Sequence, residues 1–218
     1  MEFEKARSLM IKNQLIPNKI NNESIINAFK LIKKEVFLPE DLQNLAYIDN
    51  EIFLDENNSY LSNLHIAQLI QSANFLKTDS VLHIGAMTGY VTTLISKFVK
   101  NVTAIEENVE LYNLLCKNIN LCQNTNIKTI NINYNKINEL KPNYDVIFID
   151  NIVEIIPNYL LEKLNNLNGR LLSIKRINNN LNKGIKITSN NQKIISEIIF
   201  DCFSEKQSII KENIKFRF

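Results

Sequence analysis

The chain has 218 residues, of which 45% are hydrophobic and 22% are charged, and its formal net charge at pH 7 is +2. This length suits one α/β domain of ordinary size with an extension, and a nearly neutral chain gives no basis for nucleic-acid binding. The sequence has no apolar run of about 18 residues to span a membrane and no signal core at its start, so we expect a soluble, cytoplasmic protein.

The cysteines and histidines predict neither a disulfide framework nor a metal site. Cys116, Cys122 and Cys202 form no C-x-x-C pair, and an odd number of cysteines argues against a disulfide set. With only His65 and His83 as partners, no zinc site of conventional spacing can be written. We therefore expect reduced thiols and no metal.

Amphipathic helices are predicted in the first third of the chain, where apolar residues recur at helical spacing. These patterns cover residues 4–15, 22–33 and 64–75. Pro17 ends the first pattern, and Asn22 is a suitable N-cap for the second. Residues 1–75 are therefore predicted to form an N-terminal extension of helices and loops.

From Ser80 onward the pattern changes to strands that alternate with helices. Predicted strands cover residues 80–85, 102–106, 127–132, 145–150 and 170–176. Predicted helices cover residues 88–99, 108–122 and 157–166. Because the strands are short apolar runs with little polar alternation, we expect a parallel sheet covered by helices on both faces. Right-handed crossovers then give a doubly wound topology.

The C-terminal part alternates apolar and polar residues, which is typical of antiparallel strands. The alternating runs cover residues 184–188, 192–200 and 214–218. Asn190 and Asn191 separate the first two runs and predict a hairpin, and the third run predicts a terminal strand. Since no repeat or linker interrupts the chain, we predict one domain, 1–218, with its α/β core in residues 76–218.

The segment 81–90 predicts a buried strand that enters a turn bracketed by glycines and then a helix. Gly85 and Gly89 are two of only four glycines in the chain. Glycine permits unusual backbone angles and the close approach of a ligand, so a strand, turn and helix of this kind favour a nucleotide-type site. Glu106 ends the next strand, about 20 residues after the first glycine, where a carboxylate can accept hydrogen bonds from ribose hydroxyls.

Three interpretations of this glycine corner are open. A dinucleotide-binding dehydrogenase would need a third glycine, which the pattern Gly85-x-x-x-Gly89 lacks. An S-adenosylmethionine methyltransferase needs backbone room and an acid for the ribose, and Gly85, Gly89 and Glu106 fit that need. A structural turn without a ligand is the third interpretation.

Motifs across most of the chain are similar to those of the protein-L-isoaspartate O-methyltransferase family, in a divergent bacterial branch. The similar segments are 10–15, 28–39, 46–49, 61–66, 81–90, 144–147, 169–172 and 200–201. Ala46-Tyr47-Ile48-Asp49 matches the family's Ala-Tyr-x-Asp, and the glycine corner resembles its Val-Leu-Glu-Ile-Gly-x-Gly-x-Gly-Tyr.

This resemblance implies a Rossmann-like class I methyltransferase fold, S-adenosyl-L-methionine as cofactor, and isoaspartyl-containing proteins or peptides as partners. The family methylates the free carboxylate of L-isoaspartyl residues. The implied cofactor-binding residues are Ile84, Gly85, Ala86, Met87, Gly89, Glu106 and Asn133. Ser62 stands at the family's acceptor-site serine, and Asp150, at the strand edge where α/β ligands bind, is the second catalytic candidate.

Several candidates also have a purely structural interpretation. Ser62 is a suitable N-cap for the helix after it, and Asp150 can cap the loop that follows its strand. His83, at a buried strand end, is typical of a satisfied core residue, and His65 of a partly exposed surface or capping residue. The lysines at 33–34 are expected on a solvated face.

The chain also departs from the family pattern at several positions. Met87 replaces the middle glycine of the corner, His83 replaces an acid, and Leu64 replaces a proline. The Met87 side chain either crowds the cofactor or points away from it. Two alternatives to the repair enzyme are therefore a non-catalytic relative that binds cofactor or a partner, and a methyltransferase with another acceptor, such as a small molecule or RNA.

Overall fold

The computed structural model describes residues 3–140, 143–165, 167–190, 193–204 and 208–210. The predicted N-terminal helices are confirmed, with small shifts in their bounds. They are α1 (Phe3–Met10), α2 (Glu23–Leu31) and α3 (Asn63–Ala73). A π-helical turn, Ile11–Leu15, continues α1, and 3-10 turns cover Ile16–Asn18, Lys34–Phe37 and Glu40–Leu45. As predicted, Asn22 caps α2, since its side chain accepts hydrogen bonds from the backbone of Ser24 and Ile25.

The prediction of only helices and loops before the main sheet is wrong in one place. A two-stranded antiparallel hairpin, β1 (Ile52–Phe53) and β2 (Ser59–Tyr60), precedes α3. The Asp55 carboxylate closes the connecting loop by accepting the backbone N–H groups of Asn57 and Asn58, at 2.7 and 2.8 Å. The hairpin delivers the chain directly to Ser62.

The main sheet is mostly parallel and doubly wound, as predicted. Its parallel strands are β3 (Ser80–Ile84), β4 (Asn101–Glu106), β5 (Ile127–Asn131), β6 (Val146–Val153) and β7 (Leu167–Asn178). The covering helices are α4 (Tyr90–Ser96), α5 (Val109–Leu121) and α6 (Asn158–Glu162), with a 3-10 turn at Tyr134–Glu139. The strand order is β5-β4-β3-β6-β7, so the order reverses beside β3, which is where open α/β sheets bind their ligands.

Two antiparallel strands complete the sheet beyond β7. They are β8 (Leu181–Asn190) and β9 (Lys193–Cys202), which pair with each other as the predicted hairpin. The predicted terminal strand at 214–218 lies outside the described residues. No sequence pattern predicted β10 (Ser208–Ile210), which pairs in parallel with the end of β6. Since β7 pairs along one edge of β6, β10 must pair along the edge that β3 also uses. It therefore lies in line with β3, beyond Ile84 at the end of that strand.

Two clusters of buried side chains fill the two faces of the sheet. The larger cluster joins the N-terminal helices and α4 to the face that carries Val81 and Phe148. The second lies on the opposite face, with Leu82 and Ile147, and includes Leu160 of α6. Since β3 and β6 contribute to both clusters, they are buried on both sides, as their apolar sequences predict. No helix in the described part of the chain combines the length and apolar character needed to cross a membrane.

One expectation about the surface is wrong. Lys33 is exposed, as predicted, whereas Lys34 is completely buried. The 3-10 turn that begins at Lys34 directs its side chain inward, where the amine bonds to Asn63 and lies near the rings of Tyr60 and Tyr90. Local charge patterning could not predict these partners, because they come from distant parts of the chain.

Candidate active site

The glycine corner at the end of β3 is built from residues with unusual backbone angles. Gly85 and Gly89 have φ of +78° and +96°, in the region that favours glycine. A Cβ atom on Gly85 would collide with the side-chain amide of Asn151, and one on Gly89 would lie 2.8 Å from Leu115 Cδ1. Each glycine is therefore required both by its φ and by its neighbours.

Met87 also has a positive φ, +48°, and its side chain is buried. It is 1% exposed and packs in the larger core cluster, with residues such as Tyr90 and Val91. Its backbone N–H donates to Glu106 Oε2 at 2.8 Å. Of the two orientations that the sequence left open, the structure shows the one in which the side chain is buried in the core.

Glu106 ends β4 on the wall of a cavity of about 480 Å³. The cavity is lined by Asn57, Asn58, Glu106, Glu107, Asn108, Tyr134, Asn135, Ser208, Ile209 and Ile210. The Glu106 carboxylate accepts three hydrogen bonds, from the Met87 and Asn108 backbones at 2.8 and 3.0 Å and from the Tyr134 hydroxyl at 3.1 Å. Burial raises the pKa of Glu106, although these donors oppose the shift.

Asn133 stands beside this cavity but does not line it. Its Oδ1 accepts the backbone N–H of Asn135 at 2.9 Å, which makes it the N-cap of the turn Tyr134–Glu139. Tyr134, which sequence reasoning missed, lines the cavity instead and bonds to Glu106. Its position just after the end of β5, at the carboxyl edge of the sheet, is the signal that could have identified it.

His83 and Asp150 form a buried pair between neighbouring strands. His83 Nε2 lies 2.9 Å from Asp150 Oδ1, and His83 Nδ1 lies 2.8 Å from Thr92 Oγ1 of α4. Both side chains of the pair are fully buried. Asp150 Oδ2 is also buried and has no hydrogen-bond partner among the described residues. Both ring nitrogens of His83 are thus satisfied, whereas one carboxylate oxygen at the ligand edge still lacks a donor.

Ser62 caps α3 and lies next to the segment that contacts the glycine corner. Its Oγ accepts the backbone N–H of His65 at 3.3 Å. Tyr60, two residues earlier, places its hydroxyl 2.7 Å from Thr88 Oγ1. The backbone N–H of Tyr90 donates to the same hydroxyl at 3.3 Å. The segment that carries Ser62 is therefore fastened to the corner that follows β3.

His65 is partly exposed, as predicted, and one face of its ring is covered. Its ring stacks on Phe200 of β9 with a centroid separation of 4.9 Å and an interplanar angle of 5°. Burial lowers the pKa of His65, and the nearby Asp49 carboxylate opposes that shift. Gly184 makes this stack possible, because a Cβ atom there would lie 2.6 Å from the Phe200 ring.

The predicted residues do not all reach the cavity. Glu106 lines it, whereas the side chains of Ile84, Ala86 and Met87 pack in the core. Gly85 lies beneath Ile209 of β10, whose Cδ1 is 3.4 Å from the position of a Cβ on that glycine. One part of the carboxyl edge is therefore an open cavity beside Glu106, and the part at Gly85 is covered by β10.

A doubly wound sheet with a glycine corner after β3 and an acid at the end of β4 fits the Rossmann-like methyltransferase class that the sequence predicts. The family model described as protein-L-isoaspartate(D-aspartate) O-methyltransferase matches residues 5–203. The chain belongs to this family, which makes it an S-adenosylmethionine-dependent methyltransferase and confirms the resemblance seen in its sequence.

Individual relatives agree with this assignment. The chain is 28% identical over 197 residues to protein-L-isoaspartate O-methyltransferase of Aliivibrio fischeri, covering 89% of this chain and 92% of the relative. It is 34% identical over 111 residues to the enzyme of that name from Petrotoga mobilis, a match that spans about half of each protein, 51% and 52%.

Solved structures show the same fold. A protein-L-isoaspartate O-methyltransferase superimposes with a TM-score of 0.76 at 18% identity, covering 96% of this chain and 67% of that one. A Plasmodium falciparum protein of the same description, solved in complex with S-adenosyl-L-homocysteine, has a TM-score of 0.73 at 20% identity, covering 92% and 97%.

Proposed function

We propose that this chain transfers a methyl group from S-adenosylmethionine to the free carboxylate of isoaspartyl residues in proteins or peptides. The observation that carries the proposal is the cavity beside Glu106 at the carboxyl edge of the sheet, in a chain that belongs to the protein-L-isoaspartate O-methyltransferase family. A cavity of about 480 Å³ is within the range of small-molecule sites. Its acidic wall suits a ligand with ribose hydroxyls and a positive charge.

The residues present fit this cofactor. A carboxylate offers about four lone-pair positions, and Glu106 uses three of them within the protein, which leaves one for a ribose hydroxyl. The unpartnered Asp150 oxygen holds negative charge at the same strand edge, which stabilises a nearby cation. We propose that the cofactor contacts the backbone of Gly85, Ala86 and Gly89. Ile84, Met87 and Asn133 are proposed to hold that backbone in place.

When bound, S-adenosylmethionine would supply a methyl group on its sulfonium. As a carboxylate oxygen forms a bond to that methyl carbon, the carbon–sulfur bond breaks and neutral S-adenosylhomocysteine leaves, with no proton transfer. The protein therefore has to orient the carboxylate and exclude water, and it needs no general base. Ser62 is suited to the first task, because its Oγ accepts the His65 amide and its own proton remains to donate to a carboxylate oxygen. The hairpin of β1 and β2 fixes the segment that carries it.

The remaining predictions concern the molecule as a whole. We propose that residues 1–218 form one domain, since side chains of the N-terminal helices and of the sheet share one buried cluster. A cytoplasmic location and the absence of nucleic-acid partners also stay predictions, supported by the composition.

Replacement of Ser62 tests the proposed acceptor site. Ser62→Ala should lower kcat for an isoaspartyl peptide about tenfold, because the donor to the acceptor carboxylate is lost. The affinity for S-adenosylhomocysteine, measured by calorimetry, should stay within about twofold. Ser59→Ala is the matched control, since Ser59 is a buried serine of β2, three residues before Ser62. Unchanged turnover in Ser62→Ala would remove Ser62 from the mechanism.

A further inference from the structure

Lys34 is a buried cation to which the reaction described above assigns no task. Its side chain is 0% exposed, and a charged amine inside a protein is unfavourable unless partners stabilise it. Burial lowers the pKa of Lys34 to about 7, and Asp150 opposes the shift. The partners of this amine belong to three different parts of the candidate site.

The amine makes one hydrogen bond and two contacts with aromatic rings. Lys34 Nζ donates to Asn63 Oδ1 at 3.1 Å. It also lies 5.4 Å from the ring centroids of both Tyr60 and Tyr90, within the range of cation–π attraction. Tyr60 and Asn63 flank the pair Leu61 and Ser62, so Lys34 holds both sides of the proposed acceptor residue.

The same partners connect Lys34 to the glycine corner. The Tyr60 hydroxyl is 2.7 Å from Thr88 Oγ1, which in turn donates to the Phe37 carbonyl at 2.6 Å. Asn63 Nδ2 donates to the Ala46 carbonyl at 3.1 Å. Hydrogen bonds in the interior thus join three parts of the chain: the segment from Tyr60 to Asn63, the glycine corner, and the turn that begins at Lys34.

We propose that Lys34 is a positioning residue for methyl transfer, which fixes the segment from Tyr60 to Asn63 so that Ser62 presents the acceptor carboxylate in line with the glycine corner. This role rests on the proposed function. A displacement of about 1 Å at a reacting centre can cost a hundredfold in rate, so an anchor on both sides of Ser62 has a large effect without touching the substrate.

Several titratable groups face the amine and set its response to pH. They are Tyr60 of β2, Tyr90 of α4 and Asp150 of β6, with His83 behind Asp150. In the same turn, Glu35 is engaged by Arg7 and the Tyr47 hydroxyl. Burial raises the pKa of both phenols and lowers the pKa of Lys34 to about 7, so the Lys34 amine loses its positive charge as pH rises above about 7.

The test compares Lys34→Met and Lys34→Arg with Lys33→Met, a matched control at the exposed neighbouring lysine. Lys34→Met should lower kcat for an isoaspartyl peptide between tenfold and a hundredfold, on the order expected for misplacement. Its affinity for S-adenosylhomocysteine should stay within about twofold, because the cavity beside Glu106 is untouched. Lys34→Arg should recover most of the turnover, and Lys33→Met should lose none.

A pH profile separates positioning by a charged amine from simple packing. Turnover of the wild-type chain should fall as pH rises above about 7, and that fall should be absent in Lys34→Arg, whose guanidinium stays charged. Provided that the wild-type chain is active, two results would overturn the role of Lys34. One is a kcat of Lys34→Met within twofold of wild type, and the other is a loss of cofactor affinity by the same factor as kcat. The proposed function would stand in either case. A wild-type chain that methylates no isoaspartyl peptide would instead overturn the proposed function, and with it the role of Lys34.

Discussion

At the scale of single residues, Glu106 has the clearest expected effect. Glu106→Gln replaces one carboxylate oxygen with an amide donor, which faces N–H and O–H donors already in place. We expect the affinity for S-adenosylhomocysteine to fall at least tenfold, or about 1.4 kcal/mol, by calorimetric titration. Glu110→Gln, an exposed position in α5, is the control. Equal affinity of Glu106→Gln and wild type would contradict the assignment of the cavity.

Lys34 also predicts how stability changes with pH. Its pKa in the folded chain, about 7, lies below the ordinary value of 10.5, so between these values the unfolded state binds more protons and stability rises with pH. Lys34→Met should therefore stabilise the chain most below pH 7, with an advantage that shrinks by about 1.4 kcal/mol per pH unit towards pH 10. Urea unfolding at a series of pH values measures this, and a constant difference would show that the amine does not titrate as described.

Met87 tests whether the corner is obstructed. Met87→Gly relieves a left-handed φ but empties a buried side-chain position, so we expect a net loss of about 2–3 kcal/mol in the free energy of unfolding. The affinity for S-adenosylhomocysteine should not increase, since the side chain packs in the core. A clear gain in affinity would place the thioether in the path of the cofactor.

Residue types at the strand ends were predictable, but their partners were not. The glycine spacing and the acid at the end of β4 predicted Gly85, Gly89 and Glu106 as candidates from the sequence alone, because backbone freedom and a carboxylate are local requirements. The partners of the buried Lys34 lie between 26 and 116 positions away in the sequence. Tyr134 and Glu106, which bond to each other, are 28 positions apart. Tertiary packing, which no local pattern encodes, decides both.

At the scale of elements, β10 is the feature that most affects the site. It lies beyond residue 203, where the family match ends, and Ile209 covers Gly85. Ile209→Ala should raise the affinity for S-adenosylhomocysteine severalfold, because the ligand would displace less apolar packing at Gly85. Binding of 5′-methylthioadenosine, which lacks the amino-acid part, should change less than twofold.

A matched variant makes this experiment decisive. Ile198→Ala removes the same side chain from an exposed position, 63% accessible, on β9 and should leave both affinities unchanged. Equal gains in the two variants, or no gain in Ile209→Ala, would show that β10 does not compete with the cofactor at Gly85.

Long periodic elements were predicted well, and short ones were not. The strands of the parallel sheet and the helices between them follow from buried apolar runs and from amphipathic spacing. The hairpin of β1 and β2 has two residues in each strand, and β10 has three, so neither contains enough residues to show an alternation. Strand β6 continues past Asp150 to Val153 because β7 and β10 both pair with its end.

At the scale of the molecule, the proposed site divides its tasks between the N-terminal extension and the sheet. In this proposal the sheet edge provides the corner, Glu106 and Asp150, and the extension provides Ser62 and the buried Lys34. Hydrogen bonds between Tyr60, Thr88 and Phe37 join the two parts in the interior. Methyl transfer needs both, since the cofactor and the acceptor carboxylate must be held in line.

The most direct test of this account is methyl transfer to a pair of peptides that differ only in an isoaspartyl or an aspartyl residue. The wild-type chain, incubated with methyl-labelled S-adenosylmethionine, should form a base-labile ester on the isoaspartyl peptide and none above background on the aspartyl peptide. Equal labelling of the two peptides, or no labelling of either, would contradict the proposal that this chain methylates isoaspartyl residues.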